Sequence, residues 1–313
     1  MNRSEDIYNY LSVGLRNILS RLEPEISIRE IRLRVEKPLI VNSSRGELFI
    51  DGQGSICRPQ NAYTVTVKDI RETLEYVSNY SMYAYEEEIK NGFITMAGGN
   101  RIGVCGRAVS GENGIKTIRN ISFINLRVAS EIKGCSDMIM DKLYSDVKGS
   151  VYHTLIVSPP CCGKTTLLRD IIRNLSDGFG GNAGQTVGVA DERSEIAACN
   201  LGVPQNDVGM RTDVLDGCPK AYGMTMLIRS MAPRVIAVDE IGSDADVKAI
   251  TYAVNCGCKI IATMHASSYE DLLTKPAVKN LMDMNVFERV VVLSGLGGPG
   301  NVEGIYDAKG ERI

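Results

Sequence analysis

The chain has 313 residues, 44% of them apolar and 23% charged. That is enough apolar side chain for two ordinary domains with a core in each, and it excludes a disordered polymer. The net charge of -3 at pH 7 excludes a chain that coats nucleic acid through an overall basic surface, because counterion release needs concentrated positive charge.

No run of about 18 apolar residues occurs. Residues 1–6 also lack the apolar stretch of a secretory signal, so a cytoplasmic chain is expected. The nine cysteines include the neighbours Cys161 and Cys162 and the close pair Cys256 and Cys258, with only His153 and His265 to complete a ligand set. Such spacing is poor for zinc, so reduced, mostly buried thiols and no zinc are expected.

Along the chain, residues 30–35 alternate polar and apolar, as a strand with one buried face does. Lys37 and Pro38 end or bend it, and 39–41 resume it. Ile70, Leu74 and Val77 then fall at helical spacing behind Asp69, which is placed to cap a helix. Residues 93–96 and 101–105 flank the turn-forming 97–100 as a hairpin, and 121–128 reads as another strand. Together these predict a small α+β domain over 1–145.

Beyond the polar stretch 141–150 the pattern changes to short, continuous apolar runs at 151–157, 186–190, 235–238, 259–263 and 290–293. Such runs predict strands buried on both faces, the mark of a parallel sheet covered by helices, over a second, α/β domain at 146–313. The glycine-rich tail from Gly295 reads as irregular.

Four strand ends carry chemistry. Ser158, Pro159, Pro160, Cys161, Cys162, Gly163, Lys164, Thr165 and Thr166 follow the first of these strands and open a helix predicted over 166–175. This is the setting of a phosphate-binding loop. Amides at the helix start offer partial positive charge, the lysine reaches β and γ phosphates, and the Thr165 hydroxyl takes magnesium. A chance Gly-Lys-Thr at a helix start is the rival reading. Ser158 departs from the motif where its first glycine stands, which restricts the backbone and puts turnover in question.

Asp239 and Glu240 end the run at 235–238, where Asp239 would hold the magnesium shell through water and Glu240 would polarise the attacking water. Asp191, Glu192, Arg193 and Glu195 close another strand and form either a surface ion-pair network or part of the same edge, since parallel-sheet sites gather at the carboxyl ends of strands. His265 closes a fourth as a satisfied loop histidine or as a sensor of the γ-phosphate.

These motifs, with 227–233 leading into Asp239, resemble the secretion ATPase superfamily of type II and type IV systems. Its members carry a phosphate loop, an acidic box (here Asp191, Glu192 and Arg193), a Walker B segment and a histidine box (here His265) in this order. Residues 28–38 are similar to its N-terminal strand signature, and 204–220 resemble a sporulation branch of it.

The resemblance implies a RecA-like P-loop core with a predominantly parallel sheet, preceded by a smaller α+β domain. It implies ATP as substrate, Mg2+ held by Thr165 and Asp239, nucleotide on loop 158–166, and catalysis by Lys164, Glu192, Glu240 and His265. It further implies a homo-hexameric ring, with the nucleotide between the two domains and a neighbouring subunit and an arginine reaching the phosphate. Arg101, Arg107, Arg119, Arg127 and Arg211 are candidates for that arginine.

The implied role is to power or assemble a channel between mother cell and forespore during endospore formation. Membrane-embedded sporulation channel proteins would be the partners, holding a cytoplasmic chain at the membrane periphery. A nucleotide-gated scaffold with little hydrolysis stands beside this reading because of Ser158. A small-molecule kinase is disfavoured because 178–184 has no arginine-rich lid. The acidic net charge disfavours a translocase, and no stable nucleic-acid partner is expected.

Overall fold

The computed structural model describes residues 7–90, 92–111, 114–129, 131–145, 147, 149–295 and 300–313. Residues 1–6, which lack the apolar stretch of a signal, and 296–299 of the glycine-rich tail lie outside the described residues. The chain divides into two units, Met1–Ser130 and Glu131–Ile313.

In the first unit an antiparallel seven-stranded sheet has the order β4-β3-β2-β1-β7-β6-β5. Its strands are β1 (Ile28–Arg34), β2 (Ile40–Ser43), β3 (Gly46–Ile50), β4 (Ile56–Cys57), β5 (Phe93–Thr95), β6 (Arg101–Gly111) and β7 (Gly114–Arg127). The alternation in β1 buries Ile31 and Leu33 and leaves Arg32 and Arg34 on the opposite face. Helices α1 (Val13–Leu19), α2 (Val67–Val77) and α3 (Glu86–Lys90) accompany the sheet, and Leu15, Ile70 and Val77 join its core.

Two expectations change here. Asp69 is not the cap of α2. Thr66 is: its hydroxyl accepts the Asp69 N–H at 3.1 Å while the Asp69 carboxylate accepts the Thr66 N–H at 2.9 Å, a reciprocal capping box. β7 begins at Gly114 rather than near 121, because β6 and β7 continue as a ribbon in which Arg107 stands opposite Arg119 and apolar alternation is lost.

The second unit contains a seven-stranded sheet of order β10-β9-β11-β12-β8-β13-β14, parallel except for the β13–β14 pair. The strands are β8 (Thr154–Ser158), β9 (Val187–Asp191), β10 (Thr212–Asp216), β11 (Val235–Val238), β12 (Lys259–His265), β13 (Arg289–Leu293) and β14 (Val302–Asp307). Every residue of β8, β9 and β11 is buried, which is why they read as unbroken apolar runs.

Helices α4 (Asp137–Leu143), α5 (Lys164–Asp177), α6 (Lys220–Met231), α7 (Asp244–Asn255), α8 (Tyr269–Leu273) and α9 (Pro276–Asp283) complete the unit. Ile156, Leu168 and Ile172 belong to one apolar cluster, and Leu155, Val157, Met224 and Ile250 to another. Successive residues of β8 thus feed opposite faces of the sheet.

The sequence pattern set the domain division near 145, whereas the structure divides at 130. Ile139, Met140 and Leu143 of α4 pack with Ile156 and Leu168, so this helix belongs to the second core. The tail is also not irregular throughout, since β14 pairs antiparallel with β13 as the sheet's edge. No helix among the described residues is long and apolar enough to cross a membrane. All nine cysteine thiols are unbridged.

His153, just before β8, accepts the Ile260 N–H on Nδ1 at 3.1 Å. Burial, aided by the Lys259 charge, pushes its pKa down to about 4. Its folded value lies below the unfolded one of 6.5, so its contribution to stability is present above pH 6.5 and is lost as pH falls through about 4. In urea melts, the stability difference between the wild type and His153→Gln is expected to shift against the wild type by about 1 to 3 kcal/mol over that window. A difference that does not change with pH contradicts the assignment.

Candidate active site

β8 ends at Ser158, and two prolines that have no N–H to give follow it. Cys161 at φ 63° and Gly163 at φ 89° then bend the chain through left-handed conformations, so that α5 starts at Lys164, two residues earlier than expected. The loop therefore meets the free N–H end of a 14-residue helix, where partial positive charge collects. Pro160 and Cys161 are exposed, Pro159, Thr165 and Thr166 are half-buried, and Cys162 is buried, with its carbonyl accepting the Gly300 N–H at 2.8 Å.

The Lys164 ammonium is buried inside this bend. It lies 3.1 Å from Ser158 O, 3.2 Å from Ser158 Oγ, 3.2 Å from Pro159 O and 3.0 Å from His265 Nδ1. Burial lowers its pKa, while the Asp239 and Glu240 charges oppose that shift. Ser158 is fully buried, and its hydroxyl accepts from Lys164 and donates to Pro159 O at 2.6 Å. The residue that departs from the glycine motif is thus part of the lysine's cage.

Just past the end of β11, Asp239 accepts the Thr165 hydroxyl hydrogen on Oδ2 at 2.6 Å, and Thr263 of β12 donates to its Oδ1. The same Thr263 oxygen accepts the Glu240 N–H at 2.9 Å. Burial pushes the Asp239 carboxyl up, against these two hydroxyl donors. Glu240 takes a left-handed backbone at φ 54°. Its Oε2 accepts from Arg193 at 2.9 Å, and its Oε1 lies 2.9 Å from His265 Nε2. An ammonium only donates, so His265 accepts on Nδ1 and gives its Nε2 hydrogen to Glu240.

Lys164, Thr165, Asp239, Glu240 and His265 are therefore gathered at one sheet edge. Two chains of contacts run through them, Lys164–His265–Glu240 and Thr165–Asp239–Thr263–Glu240. Glu192 lines a cleft with Asp191, Arg193, Lys220, Asp239 and Glu240, but its carboxylate is turned to the Lys220 ammonium at 3.0 Å. Lys220 also donates to Glu240 O at 2.8 Å.

Asp191 builds the loop around this cleft. Its two oxygens accept the N–H groups of Glu195, Ile196 and Ala197 at 2.8 to 3.0 Å. Arg169 of α5 donates to the carbonyls of Glu195 and Ile196, tying the acidic box to the phosphate-loop helix. Burial nevertheless lifts the Asp191 pKa to about 6. With its folded value above the unfolded 3.8, Asp191 supports the fold fully below that value and loses the contribution as pH rises through about 6, opposite in sign to His153. Asp191→Ala strands three backbone donors, two of them buried, and is expected to lower unfolding free energy in urea by about 3 kcal/mol or more. A loss under about 1 kcal/mol contradicts this role.

Of the arginine candidates, Arg211 donates to Ser176 O at 2.9 Å, about 18 Å along α5 from Lys164 at the usual helical rise. In the first unit Arg101 lies 4.1 Å above the Phe93 ring, and Arg127 pairs with Glu30 at 3.5 Å. Arg107 and Arg119 stand opposite one another on the exposed ribbon.

Thr263, Arg169 and Lys220 were not assigned a site role from sequence. A threonine inside the apolar run of β12 was the available sign of the first. The other two are ordinary helix residues until the fold places them.

A parallel sheet whose strand ends carry a Gly-Lys-Thr helix start and paired carboxylates has the arrangement of a P-loop fold. Two solved structures are similar to it. The Yersinia pseudotuberculosis ATPase DotB has a TM-score of 0.56 at 11% identity, covering 90% of this chain and 76% of that one. The pilus retraction motor PilT, solved with bound ADP, has a TM-score of 0.56 at 13% identity, covering 88% and 77%. At such identity the likeness is one of fold: α/β, with a RecA-like P-loop core of predominantly parallel sheet that follows a smaller α+β unit in the chain.

The family model for sporulation stage III, protein AA, matches residues 1–313. The stage III sporulation protein AA of Bacillus subtilis (strain 168) is 40% identical over 310 residues, 98% of this chain and 96% of that protein. The chain belongs to the sporulation stage III protein AA family.

Proposed function

We propose that the chain is an ATP-hydrolysing motor that powers or assembles a channel between mother cell and forespore during endospore formation. The observation that carries the proposal is the junction of phosphate loop, Asp239 and Glu240, in which Thr165 Oγ1 lies 2.6 Å from Asp239 Oδ2 and His265 bridges Lys164 to Glu240. The hydroxyl of Thr165 and the carboxylate of Asp239 are the oxygen donors a hard cation takes, so they fit Mg2+. Magnesium held by these two residues would neutralise charge on the phosphates.

In this reading Lys164 gives up its carbonyl partners for β and γ phosphate oxygens, and the amides at the start of α5 hold the remaining charge. Glu240, oriented by His265 and Arg193, takes a proton from the water that attacks the γ-phosphorus as the bond to the β–γ bridging oxygen breaks. His265, touching both Lys164 and Glu240, is placed to report the γ-phosphate to the base. Glu192 acts through Lys220.

Assembly as a homo-hexameric ring, an arginine supplied across it, and attachment to the membrane through sporulation channel proteins belong to the same proposal. They rest on the resemblance to the secretion ATPases, and the match to the sporulation family supports the setting.

A second reading, a nucleotide-gated scaffold with little hydrolysis, is favoured by Lys164 being bound to the loop's own carbonyls and by two loop positions without N–H donors. Full-length protein given ATP and Mg2+ separates the two. Phosphate release supports the motor, and ATP binding with no release sinks it in favour of the scaffold.

A further inference from the structure

Lys220 stands at the first position of α6, a 12-residue helix preceded by Pro219, where the helix's own positive end disfavours a cation. Its side chain is only 14% exposed, also uncommon for an ammonium. Glu240, 2.8 Å away through its carbonyl, holds a left-handed φ of 54°, costly for a residue with a side chain. Three locally unfavourable choices meet at one hydrogen bond, and such violations collect where a fold serves a site.

Every polar atom of Glu240 is engaged by a different residue. Its N–H goes to Thr263, its carbonyl accepts from Lys220, and its two carboxylate oxygens face His265 and Arg193. The Arg193 side chain is 63% exposed, so that ion pair is weakly anchored. Lys220 is the more buried holder, and Glu192 keeps its charge paired.

We infer that Lys220 is a positioning residue, fastening the backbone of Glu240 in the left-handed turn that aims its carboxylate at His265 and tying that turn to the acidic box through Glu192. This deepens the proposed hydrolysis and rests on it. Lys220 donates to the backbone of the base rather than to its carboxylate, so its loss acts on turnover through the aim of Glu240. It leaves nucleotide binding at the loop intact.

The test uses full-length Lys220→Met and Lys220→Arg proteins, each alone and in a Glu240→Gln background, beside the wild type. Lys220→Met is expected to lower kcat about tenfold or more with KM for ATP within about threefold, and Lys220→Arg to restore most of it. In the Glu240→Gln background the methionine change is expected to add little, because the residue it positions is already disabled.

The crystal structure of Lys220→Met supplies a readout independent of activity, with Glu240 expected to leave the left-handed region and its contact with His265. Unchanged kcat, additive losses, or Glu240 retaining φ near its present value in that crystal would each overturn the inference. A wild type that releases no phosphate defeats the proposed hydrolysis instead, and the crystal then decides the positioning role alone.

Discussion

Replacing Lys164 with alanine is expected to abolish ATP hydrolysis and to weaken ATP binding by about 10- to 100-fold, the range of one or two charge-assisted hydrogen bonds. The ammonium is the cation enclosed by the loop, with four acceptors within 3.2 Å, and alanine offers nothing in its place. Removing it also frees His265 from its partner on Nδ1, so Glu240 loses an oriented neighbour as well as the substrate losing a charge. The combined loss in turnover is expected to exceed about 10³-fold. Equilibrium binding of a fluorescent ATP analogue beside steady-state phosphate release measures both effects. Binding within about twofold of the wild type contradicts the assignment of the loop.

Glu240→Gln is expected to separate hydrolysis from binding, both of which Lys164→Ala impairs. Glutamine keeps the shape and can still accept from His265, but it cannot take a proton, and a positioned general base contributes about 10² to 10⁴ in rate. ATP affinity is expected to stay within about threefold, since the carboxylate lies at the end of β11 and not in the loop. The carboxylate also carries the Arg193 ion pair, but that guanidinium is mostly exposed and its loss costs little stability. Thermal melting close to that of the wild type would show that a fall in phosphate release is chemical. Retention of more than about a tenth of wild-type kcat would remove Glu240 from the role of base.

What was legible in advance follows from burial. β8, β9 and β11 are covered on both faces, so their apolar runs stand out, and each ends in a polar motif that the parallel sheet must bring to one edge. β10 was not visible because all five of its residues are only half-buried at the sheet's edge, and two of them are aspartates. β14 hid in a glycine-rich tail because its partner is the antiparallel β13, whose pairing depends on a connection the pattern does not encode. The division at 130 was missed because α4 is short and its three apolar residues do not reveal which core they enter.

Within the site, residue type singled out Lys164, Thr165, Asp239 and Glu240 as the set that phosphate and magnesium chemistry asks for in that order, and the fold brings the four together. Ser158 was visible only as a missing glycine. Its contact with the Lys164 ammonium depends on the loop folding back on itself, which spacing does not show. Glu192 was placed among catalytic groups by its motif, whereas its carboxylate faces Lys220, a residue 28 positions away that only the packing of α6 brings near. Long-range pairings of this kind are set by the packed fold.

The most direct test of nucleotide chemistry at this sheet edge is steady-state phosphate release from ATP by the purified full-length chain. It is run with Mg2+ and with a chelator, for wild type and Lys164→Ala in parallel. The expected result is release by the wild type that needs Mg2+ and disappears in Lys164→Ala. Equal release by the two proteins, or release by the wild type that the chelator does not diminish, would contradict it.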